Sequence, residues 1–123
     1  MEINKVTGEI IGAAIEAHKA LGPGFLESAY EECLCHELTL RKINFRRQES
    51  LPVEYKGVKL DCGYRIDLII EDLILIELKS IETLLPIHEA QILTYLKLTG
   101  LKIGLLINFN VAALRRGIKR IIL

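Results

Sequence analysis

Tryptophan is absent from the 123-residue sequence, and aromatic residues together make up only 6% of it. A surface that binds single-stranded nucleic acid by stacking bases on many aromatic rings is therefore not favoured. Net charge is lacking as well, because 16 Lys and Arg balance 16 Asp and Glu. The whole chain exerts no general attraction on polyanions, so any contact with nucleic acid must come from local basic patches.

Long apolar runs are also missing. The stretch Leu73–Ile76 is typical of the apolar segments, which are far shorter than the roughly 20 residues that cross a bilayer. The residues that follow Met1 lack the basic and then apolar regions of a secretion signal. Three cysteines, an odd number, fit a reducing compartment better than a disulfide framework. We therefore expect a cytoplasmic protein with no membrane partner.

The cysteine spacing does not favour zinc. Cys33, Cys35, His36 and Cys62 contain no Cys-x-x-Cys pair. Helical residues two apart point in different directions. Ordinary buried or partly buried thiols are expected instead.

Size and composition predict a single domain over residues 1–123. Apolar residues make up 50% of the chain and charged residues 26%, which is globular, and a chain of this length buries roughly two thirds of its unfolded surface. The mean hydropathy of +0.30 is high for a free-standing protein of this size. A second copy covering part of the surface, in a homodimer, is therefore expected.

Hydrophobic periodicity and turn residues predict three helices and five strands. The helices are predicted over Asn4–Leu21, Phe25–Arg41 and Pro86–Thr99. The strands are predicted over Phe45–Tyr55, Val58–Ile70, Leu73–Lys79, Lys102–Phe109 and Gly117–Leu123. Gly22-Pro23-Gly24 ends the first helix, and Lys56-Gly57 forms the turn between the first two strands. This ααβββαββ order predicts an α/β fold with a central mixed sheet flanked by helices.

Charged residues interrupt one of the most apolar stretches, GYRIDLIIEDLILIELKS, which spans residues 63–80. A charge in apolar surroundings is costly unless it is paired or holds a metal. Alternation along a strand places Glu77 and Lys79 on one face. A three-residue loop, Glu71-Asp72-Leu73, would place Asp67 opposite Glu77 on that face, with the two Cβ atoms about 4.5 to 5.5 Å apart.

The residues alone leave two interpretations of these charges open. In the first, Asp67 and Glu77 share a divalent cation, and oxygen-only ligands suit magnesium or manganese. Lys79 beside them would then position or deprotonate a water that attacks a phosphodiester. In the second, Lys79 forms a buried salt bridge with a carboxylate and has no chemical role.

Four motifs in order carry a family resemblance. Asp67 and the Glu77-x-Lys79 triplet are followed by Gln91 and Tyr95, which are four residues apart on one helix face. This order resembles the PD-(D/E)XK nuclease superfamily, nearest its RecB and lambda-exonuclease branch. GFLESAY (residues 24–30), INFN (residues 107–110) and GIKRI (residues 117–121) are also similar to the GxxExxY proteins of that superfamily. The resemblance covers nearly the whole chain, although Ile66 stands where the superfamily name has proline.

The resemblance implies a restriction-endonuclease-like core and a Mg²⁺-dependent (or Mn²⁺-dependent) nuclease that hydrolyses phosphodiester bonds in nucleic acid, with DNA as the expected substrate. It implies a catalytic set of Lys79, Glu77, Asp67 and Glu27. It implies metal ligands from Asp67, Glu77, Glu27 and the carbonyl of Leu78. It implies substrate contacts from Gln91, Tyr95 and Arg65. The alternative is a catalytically idle nuclease-fold module that binds nucleic acid or protein.

Glu27 and the basic residues of the chain also have simpler structural explanations. An acid in the first turn of a helix is favoured by the helix dipole alone, so Glu27 has a structural explanation. Two basic clusters would become phosphate contacts in a nuclease, although such runs are usually solvated faces. The clusters are Arg41, Lys42, Arg46 and Arg47, and Arg115, Arg116, Lys119 and Arg120.

Overall fold

A computed structural model describes residues 2–123. Its helices are α1 (Ile3–Leu21), α2 (Glu27–Leu40) and α3 (Pro86–Thr99). Its strands are β1 (Phe45–Ser50), β2 (Val53–Tyr55), β3 (Val58–Leu60), β4 (Arg65–Ile70), β5 (Ile74–Lys79), β6 (Ile103–Asn108) and β7 (Ile118–Ile122), with a 3₁₀ turn at Leu114–Gly117. No helix within the described residues combines the length and the apolar character that a membrane crossing requires.

Five strands form one mixed sheet in the order β1-β4-β5-β6-β7. The β5–β6 pair is parallel, and the other three pairs are antiparallel. One core lies between the sheet and the α1–α2 pair, and a second, smaller core lies between the other face and α3. The predicted α/β fold with a mixed sheet between helices is therefore confirmed.

The two long strands predicted over residues 45–55 and 58–70 were wrong in extent, because each is broken into two. Pro52 follows the end of β1, where a residue without an N–H cannot donate to a strand ladder. Between β3 and β4, Gly63 adopts a positive φ of 79°. The short strands β2 and β3 form their own hairpin. Its Lys56-Gly57 turn has φ values of 51° and 79°, as a two-residue type I′ turn requires.

The β4–β5 hairpin has the loop that the sequence predicts. Its register pairs Leu68 with Ile76 and Ile70 with Ile74, which leaves Glu71-Asp72-Leu73 as a three-residue loop. Residues 74–78 are all buried, in agreement with a strand covered on both faces. The next opposed pair in this register is Asp67 and Glu77, so the hairpin brings the two acids together.

The INFN and GIKRI motifs meet where β6 ends. The side-chain amide of Asn108 is bonded to both backbone groups of Ile81, at 3.1 Å from its N–H and 2.9 Å from its carbonyl. A Cβ atom on Gly117 would lie 2.0 Å from the Asn108 carbonyl oxygen. Only glycine permits this close approach, so both motifs fix the chain just beyond β5.

Gly117→Ala is expected to lower the free energy of unfolding by roughly 2 kcal/mol or more, because the new methyl group overlaps the Asn108 carbonyl and forces the backbone apart. Gly8→Ala is the matched control. No atom lies within 4 Å of the added Cβ there, so alanine in this helix should stabilise by about 0.5–1 kcal/mol. Urea unfolding of both variants measures the difference. Equal effects in the two variants would contradict this account of Gly117.

Candidate active site

Asp67 and Glu77 are held together by two hydrogen bonds that cross between β4 and β5. The Asp67 amide donates to Glu77 Oε1 at 3.2 Å, and the Leu78 amide donates to Asp67 Oδ2 at 2.8 Å. Glu77 is 6% exposed and Asp67 is half-buried. The expectation that the two carboxylates lie opposite each other is confirmed. Their assignment as metal ligands, and that of the Leu78 carbonyl, stays a prediction.

Burial makes this pair costly to ionise. Burial, followed by the charge of Asp67, raises the pKa of Glu77 to about 8, against smaller lowering effects of the Asp67 amide and the Lys79 charge. Burial also raises the pKa of Asp67, and the hydrogen bond from the Leu78 amide opposes that rise. Two acids this close, in this apolar setting, are stable as anions only if a positive charge joins them.

Lys79 lies two residues beyond Glu77, on the same face of β5, and is half-buried. Within residues 2–123 its amine forms no ion pair with a carboxylate at 4.0 Å or less. The interpretation of Lys79 as one half of a buried salt bridge is therefore wrong. An amine whose charge acts on Glu77 but which forms no ion pair with it is available to another group.

Tyr30 fixes the loop that precedes α2. It is fully buried, its hydroxyl donates to the Gly22 carbonyl, and the same oxygen accepts from the Phe25 amide at 3.2 Å. Its ring stacks on Phe109 with centroids 4.4 Å apart. The tyrosine of the GFLESAY motif and the phenylalanine of INFN therefore anchor one another and hold the start of α2.

Glu27 is the first residue of α2 and is exposed. The Ser80 hydroxyl donates to the Phe25 carbonyl at 2.6 Å, which ties this loop to the end of β5. The negative charge of Glu27 raises the pKa of both Asp67 and Glu77. Across the described residues, however, no three His, Cys, Asp or Glu side chains lie close enough to hold a metal. Glu27 is thus near the pair without completing a three-carboxylate site.

Gln91 and Tyr95 meet on α3. The Gln91 side-chain amide donates to the Tyr95 hydroxyl at 2.7 Å. Burial raises the pKa of Tyr95, and the charges of Glu77 and Asp67 contribute to that rise. The Gln-x-x-x-Tyr pair therefore lies close to the carboxylates. Arg65, two residues before Asp67 on β4, is exposed and has no ion pair among residues 2–123.

A family model described as the PD-(D/E)XK nuclease superfamily matches residues 4–121 of the chain. The chain belongs to the PD-(D/E)XK nuclease superfamily. Its three helices and mixed five-stranded sheet agree with the restriction-endonuclease-like fold of that superfamily. Nucleases of this superfamily generally use divalent metal ions and act on nucleic acid. Comparisons with curated proteins and with solved structures found no significant match.

Two further residues extend the polar network of the acidic pair and were not among the predicted site residues: Gln48 contacts Asp67, and Glu31 contacts Gln48. Gln48 lies on β1 between the Arg47–Leu68 and Glu49–Ile66 pairs of the β1–β4 register and has a φ of 50°. Its side-chain amide donates to Asp67 Oδ1 at 3.3 Å and to Glu31 Oε1 at 2.7 Å. Glu31, one turn after Glu27 on α2, is 9% exposed. The spacing of one helical turn between Glu27 and Glu31 is visible in the sequence. The positive φ of Gln48 within a strand is not.

The first basic cluster is largely neutralised by nearby acids. Arg41 pairs with Glu9, Arg46 with Glu49 and Asp72, and Arg47 with Glu31 and Glu32. Lys42, the fourth member of the cluster, is exposed and forms no ion pair within residues 2–123. The conditional assignment of this cluster to phosphate contacts stays a prediction.

The second basic cluster is more open. Lys119 pairs with Glu89, whereas Arg115 and Arg116 are exposed and form no ion pair within residues 2–123. Both arginines lie in the 3₁₀ turn that follows β6. Because β6 runs parallel to β5, they lie at the end of the sheet that carries Lys79.

The raised pKa of Glu77 predicts how stability depends on pH. Its carboxyl keeps a proton up to about pH 8 in the folded chain, against an ordinary value of 4.5. Between these values the folded state binds more protons, so stability falls as pH rises, by up to about 1.4 kcal/mol per pH unit. Glu77→Gln should remove this slope and become increasingly more stable than the parent chain toward pH 8.

Urea unfolding in the presence of EDTA, from pH 5 to pH 9, measures the effect. The matched control is Glu82→Gln, at an exposed position, for which the stability difference from the parent chain should stay constant across the pH range. Parallel stability curves for Glu77→Gln and the parent chain would show that the Glu77 carboxyl is not held in its protonated form.

Proposed function

We propose that this chain is a metal-dependent deoxyribonuclease, in which Asp67 and Glu77 hold a divalent cation and Lys79 is the catalytic lysine. The observation that carries the proposal is the convergence of a buried and a half-buried carboxylate, both hydrogen-bonded, beside an amine that has no carboxylate partner. Burying two ionised carboxylates lowers the stability of the fold unless a positive charge, such as a bound cation, is paired with them. Membership of the superfamily supports the same reaction class.

The donor set fits Mg²⁺ or Mn²⁺. All of its atoms are oxygens: the carboxylates of Asp67 and Glu77, and the carbonyl of Leu78. Mg²⁺ usually takes one or two protein carboxylates and fills its other positions with water and substrate phosphate, so the lack of a third nearby carboxylate does not count against it. Glu27 would act through water. When bound, the cation would stabilise the negative charge that develops on an attacked phosphodiester.

The other residues of the site have roles that follow from their positions. The Lys79 amine, next to Glu77 on β5, would orient the attacking water and take part in its deprotonation. The hydrogen-bonded pair of Gln91 and Tyr95 would orient the substrate from α3. Arg65, at the start of β4, would contact a backbone phosphate, and the exposed Arg115 and Arg116 offer further phosphate contacts at the same end of the sheet.

Two finer assignments belong to this proposal. The chain is a GxxExxY protein, which is supported by the interlocked roles of Tyr30, Asn108, Phe109 and Gly117. It acts as a cytoplasmic homodimer, which is supported by the three free thiols and by the exposed apolar residues Ile122 and Leu123 at the open edge strand β7. A sedimentation mass equal to one 13.9 kDa chain would refute the dimer.

Cleavage assays with Mg²⁺ and Mn²⁺ on branched, linear and single-stranded DNA test the proposal. The parent chain should cut at least one of these substrates, and EDTA should abolish the cutting. Lys79→Ala and Asp67→Asn are expected to lower the rate by roughly 100-fold or more, because each removes a group that acts on the reacting phosphate or its cation. Lys97→Ala is the matched control, because Lys97 is exposed on α3 and should leave the rate unchanged.

A chain that binds these DNA molecules in the presence of either cation but never cuts them would support the alternative, an idle nuclease-fold module. Equal rates for Lys79→Ala and Lys97→Ala would show that any cutting comes from a contaminating nuclease.

A further inference from the structure

A cavity of about 600 Å³ opens beside the candidate active site, between the outer face of α3 and the chain around β2. Its lining includes the apolar side chains of Leu51, Val53 and Leu98, together with Gln91 and Tyr95. Gln91 and Tyr95 also belong to the active site, where Tyr95 is close enough to Glu77 for that charge to affect its pKa. The cavity therefore shares Gln91 and Tyr95 with the candidate site, and its wall residue Tyr64 directly precedes β4, the strand that carries Asp67.

Tyr64 supplies an open aromatic ring at this cavity. It immediately precedes β4, is 45% exposed, and meets the ring of Tyr95 edge-on with centroids 6.2 Å apart. Leu98 is 52% exposed and Ile87 66% exposed on the same wall. Clustered exposed apolar side chains of this kind usually mark a binding surface, and a volume of 600 Å³ is within the range of small-molecule sites.

We propose that this cavity holds an unpaired nucleobase of the strand that is cut, so that the substrate carries single-stranded nucleotides next to the scissile phosphate. This inference rests on the proposed nuclease function. A base has flat apolar faces and a polar edge. Tyr64 would stack on one face, while the Gln91 carbonyl oxygen, whose amide partner is bonded to Tyr95, would accept from the base edge.

Two features favour a base over the side chain of a second copy. The cavity shares Gln91 and Tyr95 with the candidate site, and Tyr64 lies three residues before Asp67, so the base would belong to a nucleotide next to the phosphate that is cut. Arg65, which follows Tyr64 directly, is an exposed cation without an ion pair among residues 2–123, and a phosphate would complement it. A base inside a duplex could enter only after unpairing and unstacking, which costs a few kcal/mol.

The low aromatic content argues against an extended surface that stacks many bases, but binding of a single base does not require such a surface. One exposed ring at one cavity binds one base, and Tyr64 is the only aromatic residue among the described cavity walls that is substantially exposed. The preference is therefore expected at a single nucleotide position.

Binding is measured in the Lys79→Ala background with Mg²⁺, so that cleavage does not interfere. Fluorescence anisotropy compares a blunt DNA duplex with the same duplex carrying a 5′ or 3′ single-stranded overhang. The overhang duplex should bind more tightly, and Tyr64→Ala should weaken its binding by roughly 5- to 100-fold while leaving the blunt duplex unaffected. Tyr55→Ala, at a 58% exposed tyrosine on β2 outside the cavity, is the matched control.

Equal affinity for blunt and overhang duplexes, or equal effects of Tyr64→Ala and Tyr55→Ala, would overturn the inference. So would a Tyr64→Ala variant that loses a dimer in sedimentation while keeping its affinity for the overhang, since the cavity would then be an interface between copies. The binding assay also separates failure of this inference from failure of the nuclease proposal. A parent chain that prefers the overhang duplex through Tyr64 but never cuts DNA would refute the nuclease proposal and support the base-binding cavity.

Discussion

Two hydrogen bonds between neighbouring strands hold a pair of acids where neither would ionise readily alone. The Asp67 amide binds the Glu77 side chain, and the Leu78 amide binds the Asp67 side chain. Each acid is thereby fixed by the backbone of the opposite strand, at a depth that raises the pKa of Glu77 to about 8. This reciprocal contact depends on the three-residue loop between β4 and β5, since a loop one residue shorter or longer would move one acid to the other face. Strand β5, helix α2 and helix α3 converge on this pair and carry Lys79, Glu27 and Tyr95, respectively.

The remaining motif residues act as a scaffold for the end of the sheet that carries the site. Tyr30 and Phe109 stack and hold the loop before α2, Asn108 binds the backbone of Ile81, and Gly117 permits the chain after β6 to pass close to Asn108. These contacts involve buried or backbone groups and no free polar side chain. Their role is structural, which separates them from Glu27, whose exposed carboxylate forms no hydrogen bond or ion pair within residues 2–123. The GFLESAY motif therefore combines a buried structural tyrosine with an exposed acid.

Much of the fold was predictable, because local patterns determine it. The alternation in residues 65–79 and the Glu71-Asp72-Leu73 loop predicted that Asp67 and Glu77 would face each other, and Gly100 with Pro86 bounded α3 correctly. The breaks at Pro52 and Gly63 were missed, although a proline or a glycine inside a predicted strand is a visible signal for an interruption. The ion pairs of Arg46 and Arg47 join residues up to 26 positions apart, so no local pattern shows them. Gln48 was missed for a similar reason, since its partners Asp67 and Glu31 are 19 and 17 positions away in the sequence.

A calorimetric titration of the metal-free chain with Mn²⁺ tests most directly whether Asp67 and Glu77 form one cation site. We predict one Mn²⁺ per chain, with close to one proton released well below pH 8 and almost none above it, because the Glu77 carboxyl must lose its proton before it can bind a cation. Asp67→Asn should abolish the binding, and Asp61→Asn, at an exposed residue between β3 and β4, should not change it. Binding that persists unchanged in Asp67→Asn, or that releases no proton at pH 6, would contradict the account.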